Sequence, residues 1–296
     1  MEYKNRLRID LHIHSTASDG SLTPADILDH AQKLKLAAIA ITDHDSVDGS
    51  KEALQIGTPP SLHFLTGVEI SAAHPPFFPG SGSFHILGYA INLDHGDLNQ
   101  TLVQLQDARK NRNPEILNRL NKLGFQLSLE EVNQQVGEGQ LGRPHIAYAM
   151  MKKGFVASID EAFDRYLGAG KPAYADKYRI RCEQAIKIIR QAGGIPVLAH
   201  PAHLNIENEQ ELDRLVQNLI KIGLAGIEVY YPGHSARQIR QYSKLAEKYG
   251  LLMTGGTDFH GSITPKIKMG SGDGDLFVPY NLYEDLINAN KKLFRD

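Results

Sequence analysis

The chain has 296 residues, of which 42% are hydrophobic and 22% are charged, and its formal net charge is −2. This length suits one large barrel or two ordinary domains, and the small net charge argues against a broad nucleic-acid-binding surface. The longest apolar run, 36–41, is far shorter than the roughly 18 residues of a membrane span. The polar N-terminus indicates no signal peptide, and a single cysteine, Cys182, cannot form an internal disulfide. We therefore expect a cytoplasmic protein with no membrane contact and no obligate protein partner.

The first hundred residues alternate strand and helix patterns. In chain order we predict strands at 7–11, 37–42, 62–70 and 84–93, with helices after the first two. The first helix has a typical start, because Thr23 precedes Pro24 and apolar residues follow at helical spacing.

After residue 183 the same alternation returns. Helices are predicted at 183–191, 209–222 and 236–249, and strands at 195–199, 227–230 and 251–255. Strands that alternate with helices predict a parallel sheet with crossover helices. Seven strands in this arrangement predict an α/β fold, a β/α barrel slightly short of eight strands.

Residues 99–182 contain no strand pattern, and their sequence predicts several successive capped helices. Asn113-Pro114 indicates one helix start, and Ser128 with Glu131 and Ser158 with Glu161 indicate capping boxes. This segment carries 13 Lys and Arg against 9 Asp and Glu, whereas the remainder carries 19 against 25. We predict that 99–182 is a helical substrate-recognition module inserted into a barrel formed by 1–98 and 183–296. Its basic charge would suit a small anionic substrate.

Histidines and carboxylates collect where the predicted strands end. They are His12, His14, His44, Glu69, His200, Asp258 and His260. In β/α barrels the carboxyl ends of the strands form the face where catalytic groups gather. His12 and His14 are two residues apart, so their imidazoles point to the same side of the chain and can reach one ion.

His85 differs, because it begins the fourth strand rather than ending it. The connection before it is rich in proline and glycine and has no helical pattern. A strand joined in this way can run antiparallel. The start of the strand would then lie at the same mouth of the barrel, which makes His85 a further candidate ligand.

The predicted ligand set contains imidazoles and carboxylates but no thiolate. Such a set suits Mn²⁺, Zn²⁺ or Fe²⁺. It is too large for one ion and sufficient for two or three, provided that one carboxylate bridges. Clustered divalent ions activate a bridging water and bind phosphoryl oxygens, which are the two requirements of phosphate ester hydrolysis.

Six motifs together resemble the PHP (polymerase and histidinol phosphatase) family. They are His12-Ile13-His14-Ser15, Thr42-Asp43-His44-Asp45, Gly67-Val68-Glu69-Ile70, Phe84-His85-Ile86-Leu87-Gly88-Tyr89, Leu198-Ala199-His200-Pro201 and Asp258-Phe259-His260-Gly261. The resemblance implies a distorted seven-stranded β/α barrel with three metal ions. We expect Mn²⁺ to be the bound metal.

The resemblance also implies how the ligands are divided. The first ion would bind His12, His14, Glu69 and Asp258; the second Glu69, His85 and His200; the third Asp19, His44 and His260. Asp19 stands where some family members have a histidine, so it is a departure from the pattern. Glu69, His200, Asp258 and His260 would then carry the catalysis, and Asp43 and Asp45 would orient the ligands.

Two further motifs are similar to the family branch with a helical insertion. They are Gly142-Arg143-Pro144-His145-Ile146-Ala147 and Gly170-Lys171-Pro172-Ala173-Tyr174. That branch includes 3′,5′-nucleoside bisphosphate phosphatases, and related members trim short RNA or DNA from the 5′ end. Arg143 can bind a phosphate through two parallel hydrogen bonds, and we expect His145, Lys171, His203 and Tyr231 to be further substrate contacts.

The resulting hypothesis is that a metal-bridging hydroxide removes the 3′-phosphate from a small nucleotide such as adenosine 3′,5′-bisphosphate. A 5′-to-3′ exonuclease acting on short oligonucleotides is the alternative within the same chemistry. Histidinol phosphate hydrolysis would leave the insertion unexplained. Two readings from other classes are a non-catalytic nucleotide- or metal-binding regulatory module and a metal-dependent amide hydrolase on a similar barrel.

Overall fold

The sheet at the centre of the molecule closes almost into a barrel. The computed structural model describes residues 7–78, 82–134, 141–206 and 208–294. Its strands are β1 Ile9–Ile13, β2 Ala38–Ile41, β3 His63–Ala73, β4 Phe84–Tyr89, β5 Ile180–Arg181, β6 Ile195–Leu198, β7 Gly226–Tyr230 and β8 Leu252–Gly255. Seven of them follow the order β1-β2-β3-β4-β6-β7-β8, and the two-residue β5 pairs with β3. The predicted distorted seven-stranded β/α barrel is therefore confirmed.

The barrel closes where the chain after β8 meets β1. Ile13 forms a parallel bridge with Phe259, and the His14 N–H donates to the carbonyl of Phe259. A Cβ added at Gly256 would lie 2.3 Å from the backbone nitrogen of His12. Only glycine therefore allows the two backbones to approach this closely.

Strand β4 runs against its neighbours, as the sequence predicts. It pairs antiparallel with both β3 and β6, while the other neighbours in the barrel are parallel. His85 lies opposite Ser71, near the carboxyl end of β3. The start of β4 is thus at the mouth where the parallel strands end.

Among the described residues, six helices cover the outside of the barrel. They are α1 Pro24–Lys33, α2 Asp48–Ile56, α7 Cys182–Gln191, α8 Glu209–Lys221, α9 Ala236–Tyr249 and α10 Asn281–Phe294. Two of their ends show the usual capping: Thr23 accepts a hydrogen bond from the Asp26 N–H at the start of α1, and Gly250 ends α9 at a φ of 65°. Among the described residues, no helix is both long and apolar enough to cross a membrane.

The inserted region consists of helices, but its first helix is longer than the sequence predicts. The helices are α3 Gly96–Lys122, α4 Leu129–Asn133, α5 Arg143–Lys152 and α6 Ile159–Ala162, followed by a π-helical turn at Phe163–Leu167. The helix start predicted at Asn113-Pro114 is wrong, because α3 runs through Pro114. The Asn113 side chain donates to the carbonyl of Leu141 instead of capping a helix.

The two predicted capping boxes have different outcomes. Ser128 and Glu131 form a complete box. Ser158 caps α6, but Glu161 accepts from the Ala157 N–H instead of completing the box.

Part of the insertion has its own apolar core. Buried side chains between 116 and 175, such as Ile116, Ile146 and Met150, pack with one another. Leu105 and Cys182, near the two ends of the insertion, pack instead against the main core of the barrel. The division into a barrel and a 99–182 module remains a prediction.

Candidate metal centre

The structure brings all nine predicted metal ligands to one mouth of the barrel. Three groups of potential donor atoms lie there. The first is His12, His14, Glu69 and Asp258; the second is His44, Glu69 and His85; and the third is His14, Asp19, His44 and His260. His200 joins them, because its Nε2 is 2.9 Å from Glu69 Oε1. The ligand roles remain predictions, but every member is in place.

The first donor group has the composition that the resemblance implies. His14 Nε2 lies 2.9 Å from Asp258 Oδ1 and 3.3 Å from Glu69 Oε2. His12 Nε2 lies 3.4 Å from the same Glu69 oxygen. Two imidazoles, one from β1 and one from the residue that follows it, thus face two carboxylates from β3 and from the chain after β8.

Glu69 stands at the centre of the cluster. Its Oε1 is 2.7 Å from His85 Nδ1 and 2.9 Å from His200 Nε2, and its Oε2 is 2.9 Å from His44 Nδ1. Each oxygen therefore faces a different set of imidazoles, as a bridging carboxylate requires.

Asp19 lies within the third donor group. Its Oδ1 is 3.3 Å from His260 Nε2 and 3.7 Å from His14 Nδ1, and its Oδ2 is 4.0 Å from His44 Nε2. The carboxylate therefore occupies a position from which it can bind an ion together with these imidazoles.

Buried donor atoms without partners show that divalent ions fit this cluster. Among the described residues, the atoms without a hydrogen-bond partner include His12 Nε2, His14 Nε2, Asp19 Oδ1, His44 Nδ1, Glu69 Oε2, His200 Nδ1 and Asp258 Oδ1. A buried polar atom without a partner costs free energy. Bound cations would remove that cost, and imidazole with carboxylate is the donor set of Mn²⁺, Zn²⁺ and Fe²⁺.

The electrostatics of the cluster are dominated by its carboxylates. Burial acts to lower the pKa of His14, but Asp258 and Glu69 outweigh it and raise the pKa to about 10. Burial acts to raise the pKa of Glu69, but His44, His85 and His12 hold it well below its usual value. The mouth of the barrel is thus strongly attractive to cations.

Glu228 is a buried carboxylate behind the cluster that the sequence analysis did not identify. It lies on β7, and its Oε1 is 2.9 Å from His12 Nδ1. Its Oε2 accepts from the backbone N–H of His200, at 2.7 Å. His200 has a φ of 23°, a strained value for a residue with a side chain, so Glu228 holds both a ligand ring and a ligand backbone.

Asp43 and Asp45 flank His44 but contact other groups. Asp43 accepts from the Ser15 N–H at 2.7 Å and from Ser18 Oγ at 2.6 Å, which fixes the loop after His14. Asp45 accepts from the Ser71 N–H and from two buried cations described below. Their predicted orienting role would therefore act on the loops around the ligands.

The predicted substrate contacts fall into two places. His203 and Tyr231 lie beside the metal centre: their rings contact each other, and Tyr231 Oη donates to Asp258 Oδ2 at 3.1 Å. Burial, followed by the neighbouring His200, lowers the pKa of His203 to about 3. Lys171 is exposed.

The first turn of α5 carries the other two predicted contacts. The Arg143 guanidinium lies over the rings of Phe163 and Tyr174 and donates to the carbonyl of Leu167. His145 is buried, and its Nδ1 accepts from the Gly142 N–H. This nitrogen caps the helix, which leaves only the other ring nitrogen for a substrate.

Four cations near Arg143 were not identified from the sequence. We call Arg109, Arg112, Arg143, Lys177 and Arg179 the basic cluster. Arg109 donates to Asp45 Oδ2 at 3.0 Å and lies 3.8 Å from Asp19 Oδ2. Lys177 also contacts Asp45 Oδ2, at 3.0 Å. The basic cluster thus adjoins the third donor group of the metal centre.

Burial and mutual repulsion shape the basic cluster. They lower the pKa of Arg112 to about 9, with Arg109, Arg143 and Arg179 as the repelling charges. Burial and Arg109 lower the pKa of Lys177 to about 7 despite the opposing charge of Asp45. Arg109 Nε and Arg112 Nε are buried and lack a hydrogen-bond partner among the described residues. The sequence signal that could have identified this cluster was the helical spacing of Arg109 and Arg112, which puts both residues on one face of α3.

A β/α barrel with a buried histidine and carboxylate cluster at its mouth fits a metal-dependent phosphoesterase. The PHP domain family matches residues 10–296, and the chain belongs to that family. It is 31% identical over 253 residues to a 3′,5′-nucleoside bisphosphate phosphatase of Chromobacterium violaceum, covering 85% of this chain and 87% of that protein.

Two other comparisons agree with this class. The chain is 32% identical over 255 residues to the 5′-3′ exoribonuclease Rnm of Escherichia coli, covering 85% of this chain and 84% of that one. A crystal structure from Bifidobacterium adolescentis, described as a candidate metal-dependent phosphoesterase, superposes with a TM-score of 0.82 at 28% identity and 96% coverage of both chains. The predicted family and enzyme class are confirmed.

Proposed function

We propose that this phosphoesterase removes the 3′-phosphate of nucleoside 3′,5′-bisphosphates. The observation that carries the proposal is the basic cluster beside the metal centre. An enzyme for simple monoesters needs one phosphate site, whereas a bisphosphate needs a second site at a short distance from the first.

The charges of the basic cluster call for an anion. In the described part of the chain, three carboxylates form ion pairs with the five cations: Asp45, Asp19 and Asp176. Asp19 also faces the imidazoles of the metal centre. Arg109 and Arg112 are each 5% exposed, so water can stabilise them only weakly. A phosphate dianion would offset the excess positive charge and accept from the unpartnered Nε–H groups.

The metal centre and the basic cluster would bind different phosphates of the substrate. The scissile 3′-phosphate would lie at the metal centre, where Mn²⁺, our preferred ion, would supply Lewis acidity and an activated water. The 5′-phosphate would lie against Arg109, Arg112 and Lys177, which position the nucleotide without touching the bond that breaks. Tyr231 Oη donates its proton to Asp258 Oδ2, so it would hold that carboxylate in place beside the scissile phosphate.

The relatives support this choice without deciding it. The Chromobacterium violaceum relative is named for the proposed reaction. The Escherichia coli relative is named as a 5′-3′ exoribonuclease, an activity that would use the same bond and the same 5′-phosphate. The reading as a non-catalytic module is less well supported, because each predicted ligand is present at the metal centre.

A comparison of two substrates tests the proposal. Adenosine 3′,5′-bisphosphate and adenosine 3′-monophosphate share the scissile group and differ only in the second phosphate. We expect Arg112→Gln to lower kcat/KM for the bisphosphate about tenfold or more and to leave the 3′-monophosphate unchanged. Arg143→Ala should likewise reduce the preference more than it reduces metal binding.

Lys122→Gln is the matched control, since Lys122 is exposed on the same helix and its change removes the same charge. Equal hydrolysis of the two substrates by the wild-type protein would contradict a second phosphate site. An unchanged preference in Arg112→Gln would exclude Arg112 from that site.

A further inference from the structure

A cavity lies at the base of the barrel, where the parallel strands begin. Leu7 lines it shortly before β1, Ala37 directly before β2, and His63 as the first residue of β3. The predicted metal ligands His12 and His44 lie near the end of β1 and after the end of β2. The cavity is therefore at the opposite end of the barrel from the metal centre, and a molecule bound in it would not be the substrate that is cleaved.

The size and the walls of this cavity suit a small organic molecule. Its volume is about 420 Å³, within the range of small-molecule sites. The apolar part of its lining consists of Leu7, Leu36 and Ala37. The aromatic part consists of His63 and Tyr280, whose ring centroids are 5.9 Å apart, and the His63 ring also stacks on Tyr283 at 5.3 Å. Rings in contact offer a surface on which a further flat ring can pack.

The charge at the cavity is positive. Among the described residues that line it, Lys35 is the one with a permanent charge, and none is a carboxylate. Gln32 and Ser61 add groups that can form hydrogen bonds. An anionic group is therefore the charge that this lining can stabilise.

Lys35 occupies a backbone position that favours glycine. It follows the last turn of α1 with a φ of 55°, and its N–H donates to the carbonyl of Gln32. Gly193 and Gly223 occupy the corresponding positions after α7 and α8. A residue with a Cβ loses free energy in this conformation. The chain thus carries a lysine at the cavity in spite of its conformational cost, as is typical of residues at binding sites.

We propose that the base of the barrel is a separate binding site, which takes a planar aromatic molecule that carries an anionic group. The ring of the ligand would pack against His63 and Tyr280, and its anionic group would face Lys35. Binding here involves no step of phosphate ester hydrolysis. The inference therefore does not depend on the proposed function, and it is tested without any substrate.

Two fluorescent probes that differ only in charge test the proposal on the full chain with Mn²⁺ present. Anilinonaphthalene sulfonate is an aromatic anion, and phenylnaphthylamine is the same ring system without the sulfonate. We expect Lys35→Gln to weaken binding of the sulfonate about threefold and to leave binding of the neutral probe unchanged. Lys33→Gln is the matched control, since Lys33 is exposed in the last turn of the same helix and its change removes the same charge.

The aromatic wall is tested with both probes. His63→Ala removes one of its rings, and we expect it to weaken the binding of each probe about fivefold. His63→Phe keeps a flat ring at the same place, so it should bind both probes as the wild-type protein does. Probe binding that His63→Ala leaves unchanged would overturn the proposal.

The remaining outcomes concern Lys35. Equal affinity for the sulfonate in Lys35→Gln and Lys33→Gln would overturn the proposal, as would a wild-type protein that binds neither probe. Lys35→Gly separates binding from a structural role: it should raise the unfolding midpoint by about 2 °C, because glycine fits the backbone conformation, while it weakens sulfonate binding. A lower midpoint with unchanged sulfonate binding would show that Lys35 serves the fold alone and would also overturn the proposal.

Discussion

The carboxylate of Glu228 lies 2.9 Å from Nδ1 of His12, and both side chains are fully buried. Because the carboxylate accepts the proton of Nδ1, the lone pair of Nε2 is left pointing toward Glu69 and Asp258. The second oxygen of Glu228 holds the backbone of His200. One residue on β7 thus orients two predicted ligands, one on β1 and one in the chain after β6.

Removing the charge of Glu228 should weaken metal binding. In Glu228→Gln one of the two terminal positions becomes an NH₂ donor, so the amide can accept from His12 Nδ1 or from the His200 N–H but not from both, and it carries no charge. Outer partners of this kind are worth about 10- to 100-fold in metal affinity, and we expect a loss of that size for Mn²⁺, measured by calorimetric titration. Glu247→Gln, an exposed change on α9, is the control. The same affinity in Glu228→Gln as in the control would exclude the orienting role.

Replacing the central carboxylate should have a larger effect. Glu69 faces imidazoles with both oxygens, so Glu69→Gln removes one charge from every donor group that shares it. We expect turnover to fall at least about 100-fold, more than for an outer partner, and the metal content per chain to fall with it. Elemental analysis and phosphate release measure the two effects. A fully active variant with its full metal content would exclude a bridging role.

Metal removal should lower the stability of the fold. The unpartnered donors of the cluster belong to six different segments of the chain, so ions that bind there hold these segments together. At an Mn²⁺ concentration about 100-fold above Kd, we expect a gain of about 2.7 kcal/mol per independent site in the free energy of unfolding. Scanning calorimetry with and without chelator measures it. A midpoint that is the same in both conditions would show that the cluster binds no ion in the native state.

The preference for a bisphosphate should depend on pH through Lys177. Burial and Arg109 lower the pKa of Lys177 to about 7, so the cation that would contact the 5′-phosphate is present below that pH and lost above it. The second proton of a phosphate dissociates near pH 6. We therefore expect the ratio of kcat/KM for the bisphosphate to that for the 3′-monophosphate to be highest near pH 6 to 7 and to fall as pH rises further.

Lys177→Arg separates this effect from the titration of the metal ligands. Arginine keeps its charge across the range, so the fall above about pH 7 should disappear while the rise near pH 6 remains. If the ratio falls equally in both proteins, another group controls it.

The fold and the positions of eight of the nine predicted ligands could be predicted because their signals are local, whereas Asp19 was named only from the family resemblance. Strand patterns end at His12, His44 and Glu69. The alternation of strands and helices predicts a β/α barrel, in which these strand ends lie together at one mouth. His85 was predictable because the connection before it has no helix pattern, which allows the antiparallel β4 that the structure contains.

The residues that were missed depend on contacts between distant segments. Glu228 is the only charged residue of its strand, a signal of an inward carboxylate, but its partners come from β1 and from the chain after β6. Lys177 has no pattern in its own loop and becomes notable only beside Asp45 and Arg109. Pro114 led to a wrong prediction of a helix start, since a proline inside a long helix and a proline in a first turn look alike in the sequence.

The most direct test of the account is phosphate release from adenosine 3′,5′-bisphosphate by the wild-type protein, first after chelation and then after Mn²⁺ is restored. The account predicts that activity is lost with the metal and returns with it, and that adenosine 3′-monophosphate is hydrolysed less efficiently under the same conditions. Activity that persists in the metal-depleted protein, or an equal rate on the two substrates, would contradict it.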